Sequence, residues 1–123
     1  MKTNIETKRY IELENPSRNA THLKIEVYYS LGGYNLFTYK PEERGYYLSV
    51  SPVCKFNRNG VTMESYTAFS GIKKCIKPVS RQSKKAAAQA GEIAKNHIHE
   101  LVTYVCNTNG LNVPTEFINP EEN

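Results

Sequence analysis

The sequence contains no aspartate and no tryptophan, and all twelve of its acids are glutamates. Short, rigid Asp carboxylates hold the ion or the nucleophile in many phosphoryl-transfer and metal sites, so their absence argues against such chemistry. Cysteine is sparse. Cys54, Cys75 and Cys106 are odd in number and far apart, and no C-x-x-C or Cys/His ligand spacing accompanies them. That leaves neither a disulfide framework nor a zinc motif. No run approaches the roughly 20 apolar residues of a membrane span. The opening Met1–Glu6 has no apolar stretch after its charge, so no secretory leader is expected. A phosphate-cradling glycine loop, a nucleophile elbow and an H-E-x-x-H motif are all missing. Together these absences predict a reduced, cytoplasmic protein with no membrane association, no cofactor and no metal, and not an enzyme.

What is present suits one domain. A chain of 123 residues buries about two-thirds of its unfolded surface. Nine Tyr and four Phe supply the large apolar side chains. Leu23, Ile25, Val27 and Tyr29 alternate with Lys24, Glu26 and Tyr28, the period of a strand with one wet face. Leu31-Gly32-Gly33-Tyr34 reads as a hairpin turn into a strand from Tyr34 to Lys40. Tyr46, Leu48 and Val50 alternate again as far as Cys54. Asn59-Gly60 marks a second hairpin, and a last strand follows from Val61 to Phe69. Arg9–Leu13 is a candidate first strand.

From Ser80 to Asn107 the period becomes helical. Ala86, Ala90, Ile93, Ala94, His97, Ile98, Leu101, Tyr104 and Val105 fall on one face, with Cys106 on the polar side. Ser80 or Ser83 is placed to cap the helix start, and Gly110 to end it. Residues 1–111 are therefore expected to form a single α+β domain. Its architecture is an antiparallel meander sheet of four or five strands with one long C-terminal helix packed on one face. Residues 112–123, with Pro114 and Pro120, read as a loosely ordered tail.

Charge is uneven. Residues 73–85 hold six bases, Lys73, Lys74, Lys77, Arg81, Lys84 and Lys85, and no acid, while the whole chain is only +4. The segment reads as the link into the helix. Lysines there oppose the helix macrodipole unless an anion joins them, and free N–H groups beside lysines make a candidate phosphate site. A solvated loop is the plainer account of the same run. If Leu23, Ile25, Val27, Leu48 and Val50 face the helix, Tyr28 and Tyr47 face away. Phe37 and Tyr39 share a face by alternation, so Tyr28, Phe37, Tyr39 and Tyr47 form a candidate aromatic platform on which bases could stack. A tyrosine-rich strand is equally at home in any sheet. His97 and His99 point to different sides of a helix, which is not the spacing of a zinc pair. A nucleophile pair would need Cys54 or Cys75 to approach His97 in space.

Ser83-Lys84-Lys85-Ala86-Ala87-Ala88, followed by Ala90 and Ile93, resembles the final helix of double-stranded-RNA-binding domains. The likeness covers the last third of the chain. In that family a lysine cluster at the helix start grips phosphates across a groove. The whole chain, especially Tyr28-Tyr29-Ser30-Leu31-Gly32-Gly33 and Arg44-Gly45-Tyr46-Tyr47-Leu48-Ser49-Val50, resembles small uncharacterised accessory proteins of bacterial mobile elements and phages. That resemblance implies a setting in which nucleic-acid handling and inhibition of host defence are common. The expected function is a non-enzymatic binding protein that meets nucleic acid through the basic segment. The competing expectation is a protein-interaction module, a homodimer or an inhibitor of a nucleic-acid enzyme, that sets the same bases against an acidic protein surface.

Overall fold

The computed structural model describes residues 7–17, 20–35 and 39–117. In chain order the elements are β1 (Thr7–Ser17), β2 (Ala20–Ser30), β3 (Gly33–Asn35), β4 (Lys40–Glu42), β5 (Gly45–Arg58), β6 (Val61–Tyr66) and β7 (Ile72–Pro78). Helix α1 (Lys84–Asn109) and a 3-10 turn (Thr115–Phe117) complete them. The architecture is the expected α+β, an antiparallel five-stranded sheet with a second small sheet and one long C-terminal helix. No helix among the described residues is long and apolar enough to cross a membrane.

β1, β2 and β5 neighbour one another in the sheet. Leu23, Ile25 and Val27 pair across with Pro52, Val50 and Leu48, so their apolar alternation falls on one face. The strand expected from Tyr34 to Lys40 does not lie between β2 and β5. Tyr28 pairs directly with Tyr47 and Ser30 with Gly45, while β3 and β4 form a separate two-stranded excursion. Glycine makes the exit and the return. Gly32 (φ 75°) follows the end of β2, and Gly45 (φ 154°) begins β5 so close to β7 that a Cβ there would meet the Lys77 carbonyl oxygen at 2.4 Å.

The far edge of β5 is shared. β6 pairs with its second half, Val53 to Arg58, and β7 with its first half, Gly45 to Val50. The strand expected from Val61 to Phe69 thus stops at Tyr66, and five residues span the gap before Ile72. Pro52 explains the break. The Thr67 hydroxyl donates to the Pro52 carbonyl, so Pro52 turns its backbone toward this edge, where its nitrogen has no proton to offer the ladder. Asn109 ties the detour to the helix end, accepting from the Ser70 N–H at 3.0 Å and donating to the Ser70 carbonyl at 2.8 Å.

Ser83 is the cap: its side chain accepts from the Ala86 N–H, and Gly110 ends the helix in the left-handed region. Ala86, Ala90, Ala94, Leu101 and Val105 are buried as expected. The buried arc is nevertheless rotated toward Val102 and Cys106, both fully buried, whereas Tyr104 is 55% exposed. The helix's last turn is covered on that side, where Leu111 folds back to donate to the Cys106 carbonyl. Cys106 is therefore a core thiol, not the exposed one expected. Leu23, Leu48 and Val50 are fully buried beneath the helix, each contributing about 1.5–3 kcal/mol.

The segment from 112 to 117 is not a loose tail. Phe117 joins the core. Thr115 donates its N–H to Glu14 at 2.9 Å, and Arg9 pairs with Glu116 while its guanidinium lies over the Phe117 ring. The apolar side chain and the two carboxylate contacts together hold this turn on β1. Residues 118–123 lie outside the described residues.

Candidate functional site

The basic segment is not one linker. Lys73, Lys74 and Lys77 lie on β7, Arg81 in the short connection, and Lys84 and Lys85 on the first turn of α1. Strand alternation separates the first two. Lys73 pairs with Ser49 on the outer face, and Lys74 pairs with Leu48 on the helix side. Lys73 Nζ is 3.0 Å from Glu42 and 5.6 Å from the Tyr47 ring centroid. Lys74 Nζ is 3.8 Å from Glu100 and 3.5 Å from His97 Nδ1. The His97 hydrogen bond, and then Lys74, hold the Glu100 carboxyl below its usual range. Both lysines are thus already matched to a carboxylate.

Lys77, Arg81, Lys84 and Lys85 are different. None has an ion-pair partner among the described residues, and the first turn of α1 carries no acid. Tyr46 gathers them. It stands opposite Lys77 in the β5–β7 pairing. Its hydroxyl donates to the Ser83 carbonyl and accepts from the Ser83 N–H, both at 3.3 Å. The fully buried Tyr46 ring thereby fixes the end of β7 against the start of the helix. Sequence spacing alone does not show this selection, because the partners Glu42 and Glu100 are remote in the chain.

The other face of the sheet carries the tyrosines. Tyr28 and Tyr47 stack with centroids 5.9 Å apart and planes 19° from parallel. Tyr39 does not join them: it occupies the turn before β4 with φ 57° and is 75% exposed. Phe37 lies outside the described residues. Tyr10 and Tyr66, absent from the sequence-based platform, belong to this face instead, since they pair across with Lys24 and Val53. Alternation in β1 and β6 carries that signal, but only once the register with β2 and β5 is known.

Lysines occupy most of these rings. Lys55 Nζ sits 4.0 Å from the Tyr10 centroid, and Lys24 lies 5.6 Å from that of Tyr66 while pairing with Glu64 at 3.0 Å. The Tyr10 hydrogen bond and Lys24 keep the Glu64 carboxyl below its usual range. Burial pushes the Tyr47 phenol up to about 12, and its hydroxyl donates to the Glu43 carbonyl at 2.7 Å. An open groove of about 440 Å³ runs past Tyr28, Ser49, Ser51 and Tyr66. Its charges, Glu26 and Lys73, are of both signs. This face is largely self-neutralised, unlike the end near Tyr46.

Among the described residues His97 Nδ1 meets Lys74 and Glu100, and no contact joins it to Cys54 or Cys75. Cys75 pairs with Tyr47 on the outer face and burial pushes its thiol up, whereas His97 is on the helix that covers the opposite face. Comparison with known proteins adds no identity: no family model, curated protein or solved structure matches the chain.

Proposed function

We propose that the protein is a non-enzymatic binding module that meets the phosphates of a nucleic acid through Lys77, Arg81, Lys84 and Lys85. The observation that carries this reading is the sorting of charge. Of the six bases in 73–85, two are neutralised by glutamates, and the four without an ion-pair partner among the described residues lie at one end of the molecule. A helix start with free N–H groups adds positive potential there. The likeness of Ser83–Ala88 to the phosphate-gripping helix of double-stranded-RNA-binding domains supports the same reading. So does the mobile-element setting implied by the second resemblance. An acidic protein surface is the alternative partner, since the same four bases would meet carboxylates as they would phosphates.

Replacing Arg81, Lys84 and Lys85 with Gln should weaken binding to short RNA and DNA duplexes about equally for all sequences, because phosphate contacts carry no base information. Each lost contact removes about 0.9 from the log–log salt slope on duplex DNA, so the slope should fall by roughly 2 to 3. Titrations of both proteins at several salt concentrations decide it. Equal affinities and equal slopes would remove nucleic acid and leave the acidic protein partner.

A further inference from the structure

We propose that the open edge of β6 pairs with β6 of a second copy of this chain, with Met63 on the two-fold axis. The proposal is independent of the basic cluster. Among the described residues, β6 pairs only with β5, and all six of its residues are exposed. Helix α1 lies over β5, β7 and β2 and makes no contact with β6, so no described helix overhangs this edge.

The edge lacks the usual protection. Natural sheets blunt exposed edges with lysines, bulges and proline. β7 has all three: Lys73, Lys74 and Lys77, a bulge at Ile76 and the terminal Pro78. β6 reads Val61-Thr62-Met63-Glu64-Ser65-Tyr66, with one charge and no proline. On the helix side of the ribbon, Phe56 pairs with Met63 and Arg58 with Val61. Phe56, Val61 and Met63 are 39%, 60% and 43% exposed. Apolar side chains thus gather on the one face that the helix leaves bare.

The register follows from the turn. Asn59 and Gly60 both have positive φ, at 52° and 81°, the signature of a two-residue hairpin whose flanking pair is hydrogen-bonded. Val61, Met63 and Ser65 therefore spend their backbone groups on β5, and Thr62, Glu64 and Tyr66 turn theirs to the open edge. A two-fold axis perpendicular to the sheet keeps like faces together, so a residue on the axis must oppose itself. With Glu64 on the axis, two carboxylates would face each other. With Met63 there, Thr62 exchanges backbone hydrogen bonds with the partner's Glu64. One row then reads Phe56, Met63, the partner's Met63 and the partner's Phe56, apolar throughout. The strand is complementary to itself in this register, which is why a second copy is the occupant.

Sedimentation of the full chain over a concentration series should show a monomer–dimer equilibrium. Met63→Lys sets like charges across the axis, and Thr62→Pro removes an outward N–H. Each should abolish the dimer while leaving the melting curve of the dilute protein in place. With Cys54 replaced by Ser, Met63→Cys should give an intermolecular disulfide on mild oxidation, because residues directly opposed lie within the roughly 4.4–6.8 Å Cα separation a disulfide spans. Glu64→Cys should give none. A chain that stays monomeric throughout overturns the proposal. So does a dimer indifferent to both edge variants, or cross-linking through Glu64→Cys in place of Met63→Cys.

Discussion

β6 and β7 run end to end along the same edge of β5, yet they are built for opposite surroundings. β7 lies beneath the helix, contributes Ile76 to the core and carries three lysines. β6 extends past the helix, is exposed at every position and carries one charge. The difference runs against strand propensity, since Val, Thr and Tyr in β6 suit a sheet better than the three lysines of β7. It comes from what lies over each half, and from whether the edge is defended. A covered, lysine-lined strand closes the domain, whereas a bare, undefended one leaves a surface to be met.

The contrast can be broken most sharply in the core. Leu48→Ala, opposite Lys74 in the β7 half, should cost about 2–5 kcal/mol, as should Leu101→Ala on the helix above. Phe56→Ala in the β6 half should cost less than about 1 kcal/mol in dilute denaturant melts, because the site is already open. Similar costs at Leu48 and Phe56 would show that the ribbon is packed after all. Glycine sharpens the same comparison. Gly45→Ala drives a Cβ into the β7 backbone at a positive φ and should cost about 1–3 kcal/mol. Gly60→Ala meets nothing within 4 Å, so only the left-handed backbone opposes it, at about 1 kcal/mol.

Alkali distinguishes the halves by another route. The Tyr47 phenol, opposite Cys75 in the β7 half, is raised to about 12. Its unfolded-state value is near 10, so the unfolded chain releases its proton first. The stability linked to it is complete below about pH 10 and is lost as pH rises toward about 12. Urea melts at stepped alkaline pH should show this loss, reduced in Tyr47→Phe. The smallest effect is expected on the helix. Gly91 has free space where a Cβ would stand, so Gly91→Ala should stabilise by about 0.5–1 kcal/mol, read as a higher midpoint with an unchanged denaturant slope.

The central strands were legible because β2 and β5 alternate cleanly, and Asn59-Gly60 marks its own turn. β7 was not legible as a strand. Its three lysines hide the alternation, and the bulge at Ile76, between Cys75 opposite Tyr47 and Lys77 opposite Tyr46, shifts the period midway. The helix face was read with a tilt. Val102 and Cys106 are buried at the helix end where Leu111 folds back on Cys106 and Asn109 bonds Ser70, contacts that a helical wheel does not contain. Among the candidate site residues, the run of bases was visible at once. Which of them remain unmatched depended on Glu42 and Glu100, separated from their lysines by 31 and 26 residues.

The 3-10 turn that seats Phe117 joins the two ends of the described chain, since Arg9 meets Glu116 and Glu14 meets Thr115 across 107 and 101 residues. β1 is an edge strand, and this turn caps its helix side. Loop-closure entropy sets such long-range contacts late in folding. During synthesis, residue 117 leaves the ribosome only after the sheet and most of the helix have emerged. The nascent chain therefore carries an unsealed seam along β1 until Phe117 is free. Ending the chain before Thr115 should leave amides of β1 open to exchange while those of β5 stay protected.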